Sequence, residues 1–438
     1  MSFTFGYRPP AAVDSHHGRY PDFLRRYQAS VAAVATRAPL ALGEFHRQIV
    51  DRIADPRNLR VAWDRLASVG GEAPGPNGIR FDDIDQSDIW PILHSLSDWI
   101  LASRYVTGVP RKVKVPKSSG RGFREIAVLD IEDRVVHRAI VQIIQPLIDP
   151  LFDERSFGGR PRRSCWHALQ CADRIVQQSG GATWIVDDIQ AAFDHVPINR
   201  TLDVVRKWFK DNAVCQLIGH AIHNKTKKGL LQGSPLSPLL MNLYLDHFLD
   251  RQWRECFPDV PLLRYLDDII IICPARHDPV QFYAGLRQLV RNAGLSLKGD
   301  ELKSIRYLDS GQTATWLGFE ISLNDERLVA RVPADPSANW YQKLRDALSI
   351  CHRRPNAPLR AQDTIRYMLE YLGPCFPHSD CKAIYRLVAA TAKQFAFEEI
   401  PSRVEFTSAW EASFHRYQRL DQNADSAEAF DGVCAECT

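Results

Sequence analysis

The tetrapeptide Tyr265-Leu266-Asp267-Asp268 is the feature that most constrains this chain. It lies between two apolar runs, Val260 to Leu263 and Ile269 to Ile272. Short apolar segments on both sides of a turn predict a buried β-hairpin. Two adjacent carboxylates at its apex are costly to bury unless they are paired or hold a cation. The segment therefore predicts a hairpin whose tip binds metal.

A second acidic segment lies upstream and has the same construction. The apolar residues Trp184 to Val186 lead into Asp187 and Asp188, which predicts a short buried strand that ends in carboxylates. Two strand ends of this kind can share one pair of cations. The small residues that follow let the chain turn beneath Phe193, whose ring can form the floor of a nucleotide pocket.

A loop rich in Gly, Ser and Pro lies between the two acidic segments. Gln232 to Pro238 opens into the apolar run Leu239 to Leu245, which predicts a helix. Gly233 permits close backbone approach to a ligand, and the start of the helix favours an anion or a base edge. The loop alone is a weak signal. Its position between two acidic strand ends makes the set specific, because chance rarely places all three contexts in one chain.

The composition is that of an ordinary soluble globular protein. Of the 438 residues, 24% are charged and 45% are hydrophobic, and this length predicts two or three subdomains. The net charge of +3 hides an uneven distribution, since Arg104 to Arg163 holds thirteen Lys or Arg against seven Asp or Glu. This stretch, together with an aromatic and basic N-terminal segment, predicts a polyanion partner.

Two further features concern location and thiol chemistry. The chain lacks a long apolar run and a signal-type N-terminus, which predicts a cytoplasmic protein without membrane contact. The ten cysteines are expected to be reduced thiols within cores. One alternative stays open, in which four ligands from among Cys375, His378, Cys381, Cys434 and Cys437 form a tetrahedral zinc site.

Other short segments extend the pattern on both sides. In chain order, the segments are Val115-Pro116-Lys117 with Arg124, Asp133-Arg134-Val135-Val136, Ser156 to Pro161, Asp188-Ile189 with Phe193-Asp194, Gln232 to Pro238, Tyr265 to Asp268, and Trp316-Leu317-Gly318-Phe319. In this order they resemble the reverse transcriptases of the bacterial, group II intron-like lineage, which includes defence-associated enzymes. The resemblance covers the chain from about Val61 to Ile321.

The resemblance implies an α+β fold, the right-hand polymerase, with fingers, palm and helical thumb after an N-terminal helical extension. The expected divisions are 1–100 for the extension and the start of the fingers, 101–180 for the fingers, 181–330 for the catalytic palm, 331–400 for the helical thumb, and 401–438 for a C-terminal extension with an acidic tail.

It also implies a set of catalytic residues. The family transfers nucleotides with two Mg²⁺ ions, for which Mn²⁺ can substitute, and carboxylate oxygens are the ligands that Mg²⁺ prefers. Asp188 and Asp267 would be the main ligands, the Ile189 carbonyl would complete one coordination shell, and Asp268 would be the secondary carboxylate. Asp187 is expected to be a neighbour, because the family's catalytic Asp precedes its aromatic residue by five positions, as Asp188 does here.

The expected substrate contacts come from the fingers and from the loop. Lys117 and Arg124 would clamp the incoming triphosphate, as a point charge and a bidentate donor. Phe193 would exclude a ribose 2′-hydroxyl and so favour deoxynucleotides. Gln232 and Gly233 would contact the nascent base pair or sugar.

Some positions depart from the family pattern. Leu266 stands where the intron enzymes carry Ala, and Gly75 to Gly78 keeps a tight loop but loses its acid. These changes indicate a divergent branch rather than an intron-encoded enzyme. Lys303 resembles a basic position that can donate a proton to pyrophosphate, although an ordinary surface lysine explains it equally well.

Three functional hypotheses follow. The first is an active RNA-directed DNA polymerase that works with a dedicated structured RNA in antiphage defence, using deoxynucleotides and yielding DNA. The second is a mobile-element or CRISPR-linked enzyme that supplies DNA for integration. The third is a non-catalytic RNA-binding or splicing scaffold, which buried carboxylates without a metal make costly. Oligomeric or accessory partners are compatible with each of them.

Overall fold

Helices surround three small antiparallel sheets in this computed structural model, which describes residues 20–37, 48–69, 73–116, 123–223, 229–274, 277–333, 339–352 and 356–422. The strands are β1 (Arg111–Pro116), β2 (Phe123–Val128), β3 (Thr183–Asp188), β4 (Leu262–Tyr265), β5 (Asp268–Cys273), β6 (Ile305–Tyr307), β7 (Ala314–Trp316), β8 (Phe319–Asn324) and β9 (Arg327–Arg331).

The helices of the first part of the chain are α1 (Tyr20–Arg37), α2 (Ile49–Ala54), α3 (Pro56–Val69), α4 (Gln86–Leu101), α5 (Ile131–Ile148), α6 (Cys165–Ser179), α7 (Ala192–His195), α8 (Ile198–Trp208) and α9 (Asn212–Ala221). Those of the second part are α10 (Ser237–Leu245), α11 (Arg251–Cys256), α12 (Pro279–Asn292), α13 (Glu301–Ser304), α14 (Asn339–His352), α15 (Ala357–Tyr371), α16 (Cys381–Gln394) and α17 (Arg403–Gln422).

The central sheet has the strand order β4-β5-β3-β6, and its neighbouring strands are antiparallel. Successive residues of β5 face opposite sides, so Ile269 and Ile271 enter one core while Ile270 and Ile272 enter another. We refer to these as the first core and the second core. Burial on both faces explains why β5 is an unbroken apolar run rather than an alternating one. The predicted hairpin and the predicted upstream strand are both observed.

The first core is formed by the N-terminal helices, by α5 and by α8 to α12 against the sheet. Buried polar contacts attach the N-terminal helices to α5. The hydroxyl of Tyr27 donates to the carbonyl of Ile143 over 2.8 Å, and the side-chain amide of Asn58 donates to the carbonyl of Ala139 over 3.2 Å. The predicted N-terminal helices are therefore integrated with the body of the protein.

The second core joins the other face of the sheet to α6, to β7-β8-β9 and to α14–α17. The apolar spacing of Trp340, Leu344 and Leu348, which predicted a helix, corresponds to one buried face of α14. Helix α17 belongs to the same core, since Phe406 and Trp410 are fully buried in it. We propose that the helical subdomain extends to Gln422, beyond the expected boundary at 400.

The eight cysteines in the described part of the chain are free thiols. Cys375 is fully buried, and burial, together with nearby Cys165, raises its thiol pKa well above the ordinary value. Cys381 contacts the hydroxyl of Thr407 at 3.3 Å. Cys434 and Cys437, the other half of the zinc alternative, lie outside the described residues. Within the described residues, no helix is both long enough and apolar enough to span a membrane.

Candidate active site

The ends of β3, β4 and β5 bring three carboxyl groups to one edge of the central sheet. Asp188 lies directly opposite Asp268 in the β3-β5 register. One residue further, the amide of Ile189 donates to the carbonyl of Asp267 over 2.9 Å. Ile189 therefore lies directly beside the β4-β5 turn. The residues expected to bind metal are therefore adjacent.

The turn between β4 and β5 is held from beneath by a buried arginine. Leu266 adopts a left-handed conformation with φ of 57°, which is uncommon for a residue with a side chain. The guanidinium of Arg264 donates to the Leu266 carbonyl over 3.1 Å and to the carboxylate of Asp250 over 2.5 Å. It also donates to the side-chain oxygen of Asn242 over 2.9 Å. Sequence reasoning missed Arg264, although a charge inside an apolar strand was a usable signal.

The Asp188 and Asp268 carboxyl groups lie close enough that each shifts the pKa of the other. Burial, the Asp188 hydrogen bond and nearby negative charge raise the pKa of Asp268 well above its usual value. Burial opposes ionisation of Asp188, but hydrogen bonds to Asp268 and Lys298 outweigh it and lower its pKa. Burial and then the charge of Asp188 raise the pKa of Asp267. The edge of the sheet thus concentrates negative charge that a cation would stabilise.

Lys298 already provides a cation at this edge. Its ammonium lies 2.6 Å from a carboxylate oxygen of Asp188, and its backbone amide donates to the Asp188 carbonyl over 2.9 Å. Sequence reasoning singled out Lys303 instead. In the structure the side chain of Lys303 is 80% exposed and pairs with Asp300 at 2.9 Å.

Asp187, expected to be a neighbour of the ligands, has a structural environment of its own. Its buried carboxylate accepts hydrogen bonds from the Gly299 amide over 2.8 Å, from the Ser304 hydroxyl over 2.9 Å and from the Tyr283 hydroxyl over 3.2 Å. These donors compensate the cost of burial. Asp187 therefore fastens β3 to the segment that carries Lys298.

The loop of Gln232 and Gly233 lies against the β1-β2 hairpin. The Ala127 amide of β2 donates to the Gln232 carbonyl over 2.7 Å. Gly233 has φ of +106°, and a Cβ there would lie 2.7 Å from the Ala127 carbonyl oxygen. The absence of a side chain at Gly233 thus allows the loop to approach strand β2 closely, whereas the sequence predicted a close approach to a ligand. Phe193 is half-buried on the first core, and its carbonyl accepts from the Leu230 amide over 2.6 Å.

The expected fingers cations lie on the β1-β2 hairpin. Arg124 is opposite Val115 in the register, is exposed, and acts electrostatically to lower the pKa of Asp267 against the effect of burial. The hairpin therefore directs positive charge toward the acidic edge. Lys117, the partner expected for Arg124, lies outside the described residues.

The donor set at the acidic edge suits a hard divalent cation. It offers the carboxylates of Asp188, Asp267 and Asp268 and the carbonyl of Ile189, and Mg²⁺ and Mn²⁺ prefer such oxygens. Within the described residues, no group of three or more His, Cys, Asp or Glu is arranged to hold an ion as it stands. Asp188 is engaged by Lys298, so binding requires that contact to rearrange.

The middle of the chain is similar to known proteins. Residues 115–321 match the family of reverse transcriptases (RNA-dependent DNA polymerases). The group II intron-encoded protein LtrA of Lactococcus lactis subsp. cremoris is 31% identical over 221 residues, which are 48% of this chain and 36% of LtrA. Protein YkfC of Escherichia coli K12 is 29% identical over 330 residues, which are 64% of this chain and 85% of YkfC.

Among solved structures, telomerase from Candida albicans aligns with 73% of this chain and 62% of its own chain, at a TM-score of 0.40 and 10% identity. The chain spans little more than a third of the length of LtrA. Residues 115–321, with their ordered motifs, thus form a reverse transcriptase domain that is similar to those of group II intron-encoded proteins.

Proposed function

We propose that this protein is an RNA-directed DNA polymerase that adds deoxynucleotides to a primer with the help of two divalent metal ions. The observation that carries the proposal is the convergence of Asp188, Asp267 and Asp268 at one edge of the central sheet. Bound Mg²⁺ or Mn²⁺ would lower the pKa of the primer hydroxyl and stabilise charge on the triphosphate.

The residues of the chain would bind the metal ions and orient the substrate. Asp188, Asp267 and the Ile189 carbonyl would hold the ions, with Asp268 as the secondary carboxylate. The primer 3′-hydroxyl would lose its proton to water, and its oxygen would bond to the α-phosphorus while the bond to the bridging oxygen breaks and pyrophosphate leaves. Arg124, with Lys117, would orient the triphosphate, since a guanidinium can contact two phosphate oxygens at once.

The remaining expected contacts belong to the same proposal. Phe193 would lie under the sugar and exclude a 2′-hydroxyl, and Gln232 and Gly233 would lie near the nascent base pair. An RNA template is supported by the family and by the basic excess between Arg104 and Arg163. Binding through such charges weakens steeply as salt is raised.

Primer extension on matched RNA and DNA templates tests the activity. With Mg²⁺ and deoxynucleotides, the wild-type chain should extend a primer on RNA, and Asp267→Asn should slow extension at least roughly a hundredfold. Asp203→Asn, an exposed carboxylate of α8 that pairs with Arg206, is the matched control and should retain wild-type rates. Equal rates for Asp267→Asn and wild type would reject the catalytic assignment.

The biological context is a separate proposal. We favour antiphage defence with a dedicated structured RNA, because the departures at Leu266 and Gly75 to Gly78 indicate a divergent branch. Sequencing of RNA and DNA that co-purify from the native host would identify the template. Phage plating on a deletion strain, with Asp267→Asn as the complementing variant, would show whether DNA synthesis is needed for protection.

A further inference from the structure

The segment that follows α12 fixes one lysine against the acidic edge. The backbone amide of Lys298 donates to the Asp188 carbonyl over 2.9 Å. The next amide, of Gly299, donates to the Asp187 carboxylate over 2.8 Å. Two successive backbone contacts to two successive residues of β3 set the position from which the Lys298 side chain extends.

Close packing leaves this segment little freedom. A Cβ at Gly299 would lie 2.5 Å from the Ser304 hydroxyl oxygen and 2.9 Å from both Asp187 carboxylate oxygens. Contacts below 3.0 Å would require the Asp187 or Ser304 side chain, or the segment itself, to shift. Because the contacts to β3 are made by the backbone amides of Lys298 and Gly299, the approach does not depend on the lysine side chain.

The ammonium group itself is placed where a metal ion would bind. It contacts a carboxylate oxygen of Asp188 at 2.6 Å, and it also interacts electrostatically with Asp267 and Asp268. The Lys298 side chain is 68% exposed. Since a solvated lysine stem rotates at low cost, the ammonium can leave Asp188 without disturbing its anchored backbone.

We propose that Lys298 is a resident counter-ion of the catalytic carboxylates, which a divalent ion must displace from Asp188. The proposal rests on the proposed metal site. An ammonium and a divalent cation cannot share one carboxylate oxygen without strong repulsion. Lys298 therefore weakens binding of free metal and favours binding of metal together with a nucleotide, whose triphosphate offers the displaced ammonium a new anionic partner.

Titration of the purified full chain with Mn²⁺, followed by electron paramagnetic resonance without nucleotide or RNA, tests this proposal. Lys298→Gln should bind Mn²⁺ roughly tenfold more tightly than wild type, because one repelling charge is removed. Lys298→Arg keeps the charge and should bind like wild type. Lys303→Gln removes an equivalent exposed charge that pairs with Asp300 and should also bind like wild type.

Asp188→Asn separates the two proposals. If Asp188→Asn weakens Mn²⁺ binding while Lys298→Gln leaves it unchanged or weakens it, the metal site stands and the counter-ion proposal is overturned. If Asp188→Asn binds like wild type, the metal site itself fails. Thermal unfolding provides a second measurement, because Mn²⁺ should raise the melting temperature more in Lys298→Gln than in wild type.

Discussion

At the scale of single residues, the acidic tip depends on a buried charge beneath it. Arg264 is fully buried, and it contacts both the Asp250 carboxylate and the carbonyl of Leu266, the left-handed residue of the turn. Replacing one partner of such a pair leaves the other as an uncompensated buried charge. The arginine therefore serves both the stability of the fold and the geometry of the turn.

Arg264→Met should lower the free energy of unfolding by about 3–5 kcal/mol, because Asp250 would remain buried without a counter-charge. Urea denaturation followed by circular dichroism measures this loss. The double variant Arg264→Met with Asp250→Leu removes both charges and should recover much of it. A loss below about 1 kcal/mol in the single variant would show that Asp250 has other compensation.

The same scale shows what could be predicted from sequence. The acidic strand ends at Asp188 and at Asp267-Asp268 were predicted because they adjoin short apolar strands, which is a local pattern, and the resemblance to the family selected Asp188 over Asp187. Lys298 was not predicted, because its contact with Asp188 spans 110 positions of the chain and neither residue's neighbours encode it. Contacts of that kind follow from tertiary packing alone.

At the scale of elements, a buried polar chain links α5 to the loop of Gln232 and Gly233. His137 of α5 contacts the Ser234 hydroxyl at 2.7 Å through one ring nitrogen and the Thr107 hydroxyl at 2.8 Å through the other. The hydroxyl of Tyr105 donates to Asp133 over 2.9 Å. Burial lowers the pKa of His137 to about 3 and raises the pKa of Asp133 to about 6.

These two shifts have opposite consequences for stability. Between about pH 3 and 6.5 the unfolded state binds more protons at His137 than the folded state, so its contribution is lost as pH falls. Asp133 retains its proton longer in the folded state, so its contribution is present at low pH and is lost as pH rises through about 6.

Unfolding free energies measured from pH 4 to 6 should therefore differ in slope among variants. His137→Gln should show a shallower rise of stability with pH than wild type, by up to about 1.4 kcal/mol per pH unit. Asp133→Asn should show a steeper rise than wild type, because it lacks the opposing contribution. Parallel curves for all three proteins would contradict the neutral state inferred for buried His137.

At the scale of the whole molecule, the central sheet separates the first core from the second core, and each core packs its helices against one face of the sheet. Several elements could be predicted from apolar spacing, as α14 and the acidic hairpin illustrate. The assignment of α17 to the second core could not be predicted, because it depends on contacts that are distant in the chain. The indole of Trp410 in α17 donates to the Leu372 carbonyl over 2.7 Å, and the indole of Trp166 in α6 donates to the Tyr371 carbonyl over 3.0 Å. These contacts join the C-terminal helix to the helix beside the sheet.

The second core includes one face of the central sheet together with α17. We therefore expect the sheet and α17 to unfold in a single cooperative transition. Trp410 is fully buried and packs edge-on against Phe406, with ring centroids 6.1 Å apart. Trp410→Ala should lower the unfolding free energy by about 3–5 kcal/mol, whereas Val404→Ala, a 79% exposed position of the same helix, should change it by less than about 0.5 kcal/mol.

Far-ultraviolet and near-ultraviolet circular dichroism should give coincident urea midpoints for both variants. Two separated midpoints in Trp410→Ala, with the later one unchanged from wild type, would mean that the C-terminal helices unfold as an independent unit.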